Sequence, residues 1–134
     1  MSLQKAKHEA QRWLTTALED LDAARSLTRS HHFAHACFLA QQAAEKAVKA
    51  VWYAVDEEPW GHSVQKLVAE MPRPAGVDIA GMEEAGALLD RYYITTRYPN
   101  GLPDLTPGQT FFLADAEKAI ATAATIVECC RQSL

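Results

Sequence analysis

The feature that most constrains the fold is a helical segment at residues 37–50, in which polar and small residues occupy different faces. Gln41, Glu45 and Lys49 follow one another at intervals of four, so they form one stripe along an α-helix. Small side chains take most of the remaining circumference, at Cys37, Ala40, Ala43, Ala44, Ala47 and Ala50. Because small side chains let a neighbouring helix approach closely, the segment predicts a helix in the middle of a bundle.

The polar stripe on this helix has two interpretations. The simpler one is a solvent-exposed face, on which Glu45 and Lys49 form an ion pair that contributes about 0.2–0.5 kcal/mol. The alternative is a functional face, because the paired glutamines Gln41 and Gln42 are costly to bury and are not needed for solubility. They also precede two lysines, at positions 46 and 49.

Apolar residues recur at spacings of three and four along the rest of the chain, and no segment is a candidate strand. Helices are predicted at about 4–30, 32–55, 63–71, 78–94 and 107–131. Ser63 is a suitable N-cap for the third, and Thr106 with Gln109 gives the last a capping box. The chain is therefore predicted to be all-α, an antiparallel up-and-down helical bundle of about five helices in a single domain, residues 1–134.

The inward positions of these helices give the expected core. They include Trp13, Leu18, Leu21, Ala40, Ala44, Leu88, Phe112 and Ile120. Between the fourth and fifth helices, Pro99, Gly101 and Pro103 predict a loop without helix at residues 95–105.

Composition narrows the classes of function. The net charge of −4 argues against sequence-independent wrapping of nucleic acid, which depends on neutralising phosphates, so any such ligand must meet a local basic patch. No apolar run is long enough for a membrane span and no signal peptide is evident, so a soluble cytoplasmic protein without a membrane contact is expected. The three cysteines lack metal spacing, and His31 with His35 has no visible third ligand, so neither a metal nor a cofactor is predicted.

The loop at residues 95–105 is the most informative in the chain, and the stretch at residues 89–100, which joins the preceding turn to it, carries two arginines and three tyrosines. Guanidinium groups such as those of Arg91 and Arg97 bind phosphate, and tyrosine rings offer flat faces for a base. A structural role is the alternative, in which Tyr93 and Tyr98 pin the loop to the bundle. In that case Arg91 would pair with the neighbouring acid at position 90 or with helix two.

Two motifs resemble the HEPN domains (higher eukaryotes and prokaryotes nucleotide-binding). Residues 37–50 read C-F-x-A-Q-Q-A-A-E-K-A-x-K-A, and residues 90–99 read D-x-Y-Y-I-x-T-R-Y-P. The start of helix three, Gly61-His62-Ser63, extends the similarity over nearly the whole chain. The resemblance implies a helical bundle that forms a homodimer and is often encoded beside a minimal nucleotidyltransferase as a toxin–antitoxin pair.

Many HEPN proteins resemble metal-independent ribonucleases that carry an arginine, four to six residues, then a polar position and a histidine. Here no histidine follows Arg91 or Arg97. Arg25 does have the spacing to His31 and His32, but these lie at the first helix turn, away from the family's motif. Cleavage of RNA by general acid–base catalysis would therefore lack its imidazole, which weighs against an enzyme.

Two functions follow from the resemblance and the residues. The first is a non-catalytic HEPN module that binds a nucleotide or a nucleotidyltransferase partner, and the alternative is a ribonuclease toxin that acts on RNA through an atypical site. In both, the anion-binding residues are expected to face one shallow groove between helix two and the loop. These residues are Lys46, Lys49, Arg91, Tyr93, Arg97 and Tyr98, with Gln42, Glu45 and His62 as accessory residues.

Overall fold

The computed structural model describes residues 2–72 and 81–134, and all the regular secondary structure in this part of the chain is helical. The elements are α1 (Leu3–Arg29), α2 (Phe33–Ala54), α3 (Val64–Ala69), α4 (Met82–Asp90), α5 (Tyr92–Thr95), a 3₁₀ turn (Pro99–Gly101), α6 (Pro107–Thr110) and α7 (Leu113–Gln132). The expected all-α bundle is confirmed. Two of the predicted helices are each divided, so α4 and α5 replace the fourth and α6 and α7 replace the fifth.

Helix α2 is the centre of the bundle, as the small residues on it predict. It packs against α1, α3, α4, α5, α6 and α7. Ala36, Ala40, Ala43, Ala44 and Ala47 are all fully buried. Because alanine keeps the helix narrow, several neighbours can lie close to its axis at once.

The first two helices are antiparallel neighbours joined by a turn of three residues. Ser2 caps α1 by accepting a hydrogen bond from the backbone nitrogen of Lys5 at 3.2 Å. At the other end His31 turns the chain with a left-handed φ of 66°. Helix α7 then packs on both α1 and α2, which completes the three long helices of the core.

Several expected core positions are buried less deeply than predicted. Leu21, Ala40 and Ala44 are buried, whereas Trp13, Leu88 and Ile120 are half-buried against the core. The prediction for Leu18 is wrong, because its side chain is exposed on the outer edge of α1. Long helices on the outside of a bundle have a narrower buried face than the full set of apolar positions suggests.

The final helix begins later than the sequence predicts. The capping box of Thr106 and Gln109 is confirmed, but α6 ends at Thr110 after a single turn. The chain is extended at Phe111 and Phe112, and α7 starts afresh with Asp115 accepting a hydrogen bond from the Phe112 nitrogen at 2.8 Å. The expectation that Phe112 points inward is therefore wrong, since it is exposed at the junction.

Three other boundary predictions have mixed outcomes. The Ser63 cap of α3 is confirmed by a hydrogen bond of 3.1 Å from the Lys66 nitrogen. The predicted start of the fourth helix at Asp78 lies outside the described residues. The loop at 95–105 contains the 3₁₀ turn at Pro99–Gly101, because proline and glycine tolerate one tight turn although they oppose a longer helix.

Helices α3 and α4 approach each other closely at Gly86. A Cβ atom at this position would lie 2.7 Å from the backbone nitrogen of Gln65. No side chain fits in that space, so glycine is required for the contact. The contact brings the end of α4 to the start of α3, where the candidate site begins.

Candidate functional site

The polar stripe of α2 is buried, and its interpretation as a solvent-exposed face is wrong. Gln41 is 0% exposed, Glu45 is 3% exposed and Lys49 is 8% exposed. The physical reason is the central position of α2, whose neighbours cover this face as well as the alanine face. Burying a carboxylate and an ammonium group is costly unless they are paired and hydrogen-bonded.

A continuous hydrogen-bond network satisfies these buried groups. Glu45 is its centre: Oε1 accepts from Gln41 Nε2 at 3.1 Å, and Oε2 accepts from Lys49 Nζ at 3.0 Å. Gln42 donates to Gln41 Oε1 at 2.8 Å, and the ammonium group of Lys49 lies 5.8 Å from the centre of the Trp13 ring. Within residues 2–72 and 81–134, no buried side-chain nitrogen or oxygen lacks a hydrogen-bond partner.

The network reaches the surface at His62. The Nδ1 atom of its imidazole lies 3.2 Å from Glu45 Oε2, and its backbone oxygen accepts from Gln41 Nε2 at 3.3 Å. The His62 side chain is 59% exposed, while the Glu45 side chain is 5% exposed. A buried carboxylate therefore holds one edge of an imidazole whose other edge faces solvent.

Asp90 fixes the segment that carries His62. Its carboxylate accepts from the Ser63 hydroxyl at 2.7 Å and from the backbone nitrogens of Val64 at 2.7 Å and Gln65 at 3.2 Å. These bonds satisfy nitrogens that are otherwise unpaired at the start of a helix. Asp90 therefore serves α3, and not the pair with Arg91 that was one option under the structural alternative.

Tyr93 joins His62 to an arginine that lies against several aromatic rings. The imidazole stacks on Tyr93, with ring centres 5.0 Å apart and planes inclined by 16°. The Arg97 Cζ atom lies 4.5 Å from the ring centres of both Phe38 and Tyr93, and 5.2 Å from that of Tyr98. We call these five residues the arginine–aromatic surface. It combines a cation with flat apolar faces, as the sequence predicts for residues 93–98.

Arg97 keeps hydrogen-bonding capacity for a ligand. Its Nε donates to the Tyr93 backbone oxygen at 2.7 Å, which orients the guanidinium group. In the part of the chain that the structure describes, no carboxylate forms an ion pair with it. A cavity of about 280 Å³ opens beside it, lined also by His35, Phe38 and Thr96.

Three other cations of the predicted site lie elsewhere. Lys46 pairs with Asp20 of α1 at 2.6 Å, and Lys49 is buried against Glu45. Arg91 lines a different cavity, of about 430 Å³, together with Lys118. The expectation that these side chains share one groove with Arg97 is therefore wrong, because α-helical periodicity fixes a face but not which neighbour covers it.

The structure also adds two features that the sequence did not reveal. Phe38 belongs to the motif on α2, but nothing in its spacing indicates that it stacks with Arg97. The second feature is the position of the His62 imidazole, because no spacing in the sequence places it against Tyr93. His62, expected as an accessory residue of the site, thus brings an imidazole to this surface, although it comes from the start of α3 and not from the family's motif.

Three other kinds of site were considered for the described residues: a metal site, a membrane span and a reactive cysteine. Among residues 2–72 and 81–134, no three histidine, cysteine or acidic side chains are grouped so as to hold a metal ion. None of the helices in these ranges is long and apolar enough to cross a membrane. Burial raises the pKa of the Cys130 thiol to about 12, so this cysteine is a poor nucleophile at neutral pH.

Comparison with known proteins places the chain in a family. The HEPN domain matches residues 10–133. The crystal structure of TT1696 from Thermus thermophilus is 36% identical, with a TM-score of 0.89 over 94% of this chain and 98% of that one. The archaeal HEPN homologue ST0689 is 29% identical, with a TM-score of 0.76 over 92% and 96% of the two chains. A HEPN domain protein from Thermotoga maritima, tm0613, is 27% identical, with a TM-score of 0.64 over 90% and 95%. No curated protein is similar enough to count as a match. The chain belongs to the HEPN domain family.

Proposed function

We propose that this HEPN domain is a binding module for a phosphate-bearing nucleotide, which it holds on the arginine–aromatic surface. The observation that carries the proposal is the guanidinium group of Arg97, which lies against three rings. Because no acidic side chain of the described residues pairs with it, its outer nitrogens are available for a phosphate.

The aromatic residues supply the second half of the recognition. Tyr98 is exposed, and the half-buried Tyr93 and the exposed His62 already stack on each other. Stacking of a base on such rings contributes about 1–3 kcal/mol per base and tolerates different bases. The overall charge of −4 disfavours long polyanions, so a mononucleotide or a short single strand suits the surface best.

A binding titration with matched variants tests the proposal. Labelled ATP and a short labelled oligoribonucleotide are titrated against the wild type, Arg97→Ala and Arg91→Ala. Loss of a charge-assisted hydrogen bond, worth about 1.5–3 kcal/mol, should weaken binding to Arg97→Ala at least about tenfold with little change in melting temperature. Arg91→Ala is the control, because Arg91 lines the other cavity.

Several outcomes would reject this site. Unchanged affinity in Arg97→Ala would mean that the ligand binds elsewhere. An equal loss of affinity in Arg91→Ala would support instead the single groove that the sequence predicts for Arg91 and Arg97. A large fall in melting temperature in Arg97→Ala would show that the arginine serves the fold.

We propose further that the module forms a homodimer and pairs with a minimal nucleotidyltransferase, in the manner of a toxin–antitoxin system. The family membership supports this arrangement, and so do exposed apolar side chains around α6. Leu105 is 50% exposed, Leu113 is 48% exposed and Phe112 is 65% exposed. Sedimentation at micromolar concentration should report about twice the chain mass of 14.8 kDa. A monomer would refute the dimer and would leave the nucleotide site untouched.

A second candidate function is metal-independent cleavage of RNA. The specific observation in its favour is the contact of 3.2 Å between Glu45 and His62, which places an imidazole beside Tyr93. Incubation with labelled RNA in the presence of EDTA tests it, with His62→Asn as the variant. Cleavage that disappears in His62→Asn would replace the binding module by a ribonuclease, whereas intact RNA alongside measurable binding would reject catalysis.

A further inference from the structure

We infer that the turn between α2 and α3 is a docking surface for a basic protein segment, whose arginine or lysine side chain lies on the exposed indole of Trp60. This inference goes beyond nucleotide binding, because it assigns a ligand of the opposite charge to residues outside the arginine–aromatic surface. It follows from three features of the structure: the exposure of Trp60, the rigid backbone of the turn, and the carboxylates that flank the indole.

Trp60 is the most exposed of the large apolar side chains on the surface of the described residues, at 79%. The chain's other two tryptophans, Trp13 and Trp52, are half-buried against the core. Their indole nitrogens donate to Glu9 at 3.0 Å and to the Leu67 backbone oxygen at 3.1 Å. The Trp60 nitrogen has no acceptor in the part of the chain that the structure describes. Because tryptophan is enriched among the residues that dominate protein interfaces, this ring is a candidate contact for a partner.

The backbone of the turn is held at both ends. The Glu57 nitrogen donates to the Trp52 backbone oxygen at 3.1 Å, and the buried Pro59 has a fixed φ. Gly61 then takes a left-handed φ of 89°, and the hydrogen bonds of Asp90 hold the start of α3. A partner therefore meets a turn that is already ordered, so little backbone freedom is lost on binding.

Two carboxylates give the turn its negative charge. Glu57 and Glu58 are exposed, and within residues 2–72 and 81–134 no cationic side chain forms an ion pair with either. Glu58 lies two residues from Trp60, so their Cα atoms are within about 7 Å of each other. A guanidinium or ammonium group on the indole face would thus lie close to a carboxylate. The cation–π attraction and the ion pair then favour the same side chain of the partner.

The same charges disfavour the other ligands of an exposed tryptophan. Nucleic acid and the anionic headgroups of a membrane would be repelled by Glu57 and Glu58. A second copy of the chain would bring the same acidic turn and a further net charge of −4. A purely apolar pocket would leave both carboxylates without a partner. A protein segment that carries arginine or lysine matches the ring and the charges together.

A labelled hexapeptide of alternating arginine and leucine tests the inference. Its control is the same peptide with citrulline, which keeps the shape of arginine and removes the charge. The wild type should bind the arginine peptide at least about fivefold more tightly than the citrulline peptide. Trp60→Ala should weaken binding of the arginine peptide by about fivefold or more, without a change in melting temperature. Phe112→Ala removes another ring, 65% exposed, and should keep the wild-type affinity.

The part played by the carboxylates is measured with two double variants. Glu57→Gln/Glu58→Gln should weaken binding of the arginine peptide by about fivefold, and added salt should weaken binding to the wild type. Glu83→Gln/Glu84→Gln is the matched control, because this pair on α4 is also exposed and the variant loses the same net charge. It should bind the peptide as the wild type does.

Several outcomes would overturn the inference. They include no binding of the arginine peptide at about 1 mM, equal binding of the citrulline peptide, and an equal loss of affinity in Glu83→Gln/Glu84→Gln. A change in the sedimentation of the protein alone in Trp60→Ala would assign the ring to a contact between two copies. A shift of tryptophan fluorescence with phosphatidylcholine vesicles, lost in Trp60→Ala, would assign it to a membrane surface. The nucleotide titration of Arg97→Ala is independent of all these results, so the proposed function and this inference can fail separately.

Discussion

The buried ion pair of α2 allows one prediction to be worked out in detail, in which Lys49→Met and Glu45→Gln are made singly and together. Breaking a buried pair by removing one partner costs about 3–5 kcal/mol, whereas replacing both is often nearly neutral. The structure ranks the two single variants. Without Lys49, the Glu45 carboxylate still accepts hydrogen bonds from Gln41 and His62, so the free energy of unfolding is expected to fall by about 3 kcal/mol. In Glu45→Gln, the buried ammonium group loses the negative charge that it pairs with and keeps the Trp13 ring at 5.8 Å, so a loss of about 5 kcal/mol is expected.

Urea denaturation followed by circular dichroism measures these losses. The free energy of unfolding should fall in both single variants and recover in the double variant, with a coupling energy of about 2 kcal/mol or more. Lys46→Met is the matched control on the same helix. Its pair with Asp20 is nearer the surface, with side-chain exposures of 24% and 18%, so a loss of about 1 kcal/mol is expected.

Additivity would refute this reasoning. If the double variant lost the sum of the two single losses, Glu45 and Lys49 would act independently. If Lys49→Met lowered the free energy of unfolding no more than Lys46→Met, the burial of the Glu45–Lys49 pair would not affect stability. A lower slope of unfolding free energy against urea would instead indicate a change in the unfolded or native ensemble, and the comparison would then need thermal unfolding as a second measure.

Three further predictions concern the fold. Leu21→Ala should lower the free energy of unfolding by about 2–5 kcal/mol because Leu21 is buried, while Leu18→Ala, at an exposed position, should stay within about 0.5 kcal/mol in the same urea titration. Gly86→Ala should cost about 1–3 kcal/mol, since its Cβ would meet α3 backbone at 2.7 Å, and a neutral result would show that α3 and α4 can separate. Burial raises the pKa of the Cys37 and Cys130 thiols from 9.0 to about 12, so the folded state favours the protonated thiols. The stability that the protonated thiols contribute to the folded state should be intact below pH 9 and be lost as the pH rises from 9 towards 12. If Cys130→Ala left alkaline unfolding unchanged, the prediction would be wrong for that residue.

Much of the candidate site could be identified from local sequence, and its assembly could not. Tyr93, Arg97 and Tyr98 lie within one turn and a loop, so their proximity follows from short spacing. His62 joins them from 31 residues earlier than Tyr93, and that contact depends on where Asp90 holds the start of α3. Long-range contacts of this kind leave no periodic signal in a single sequence.

The sequence by itself determined the helical class, the extent of α1 and α2 and the central place of α2. Periodic apolar residues and small side chains act locally along each helix, so they can be interpreted without knowing the neighbours. Only the tertiary structure decided that Gln41, Glu45 and Lys49 are buried, and that Arg91 and Lys46 lie apart from Arg97. The physical reason is that burial depends on which elements cover a face. A polar stripe has the same spacing whether water or another helix lies against it.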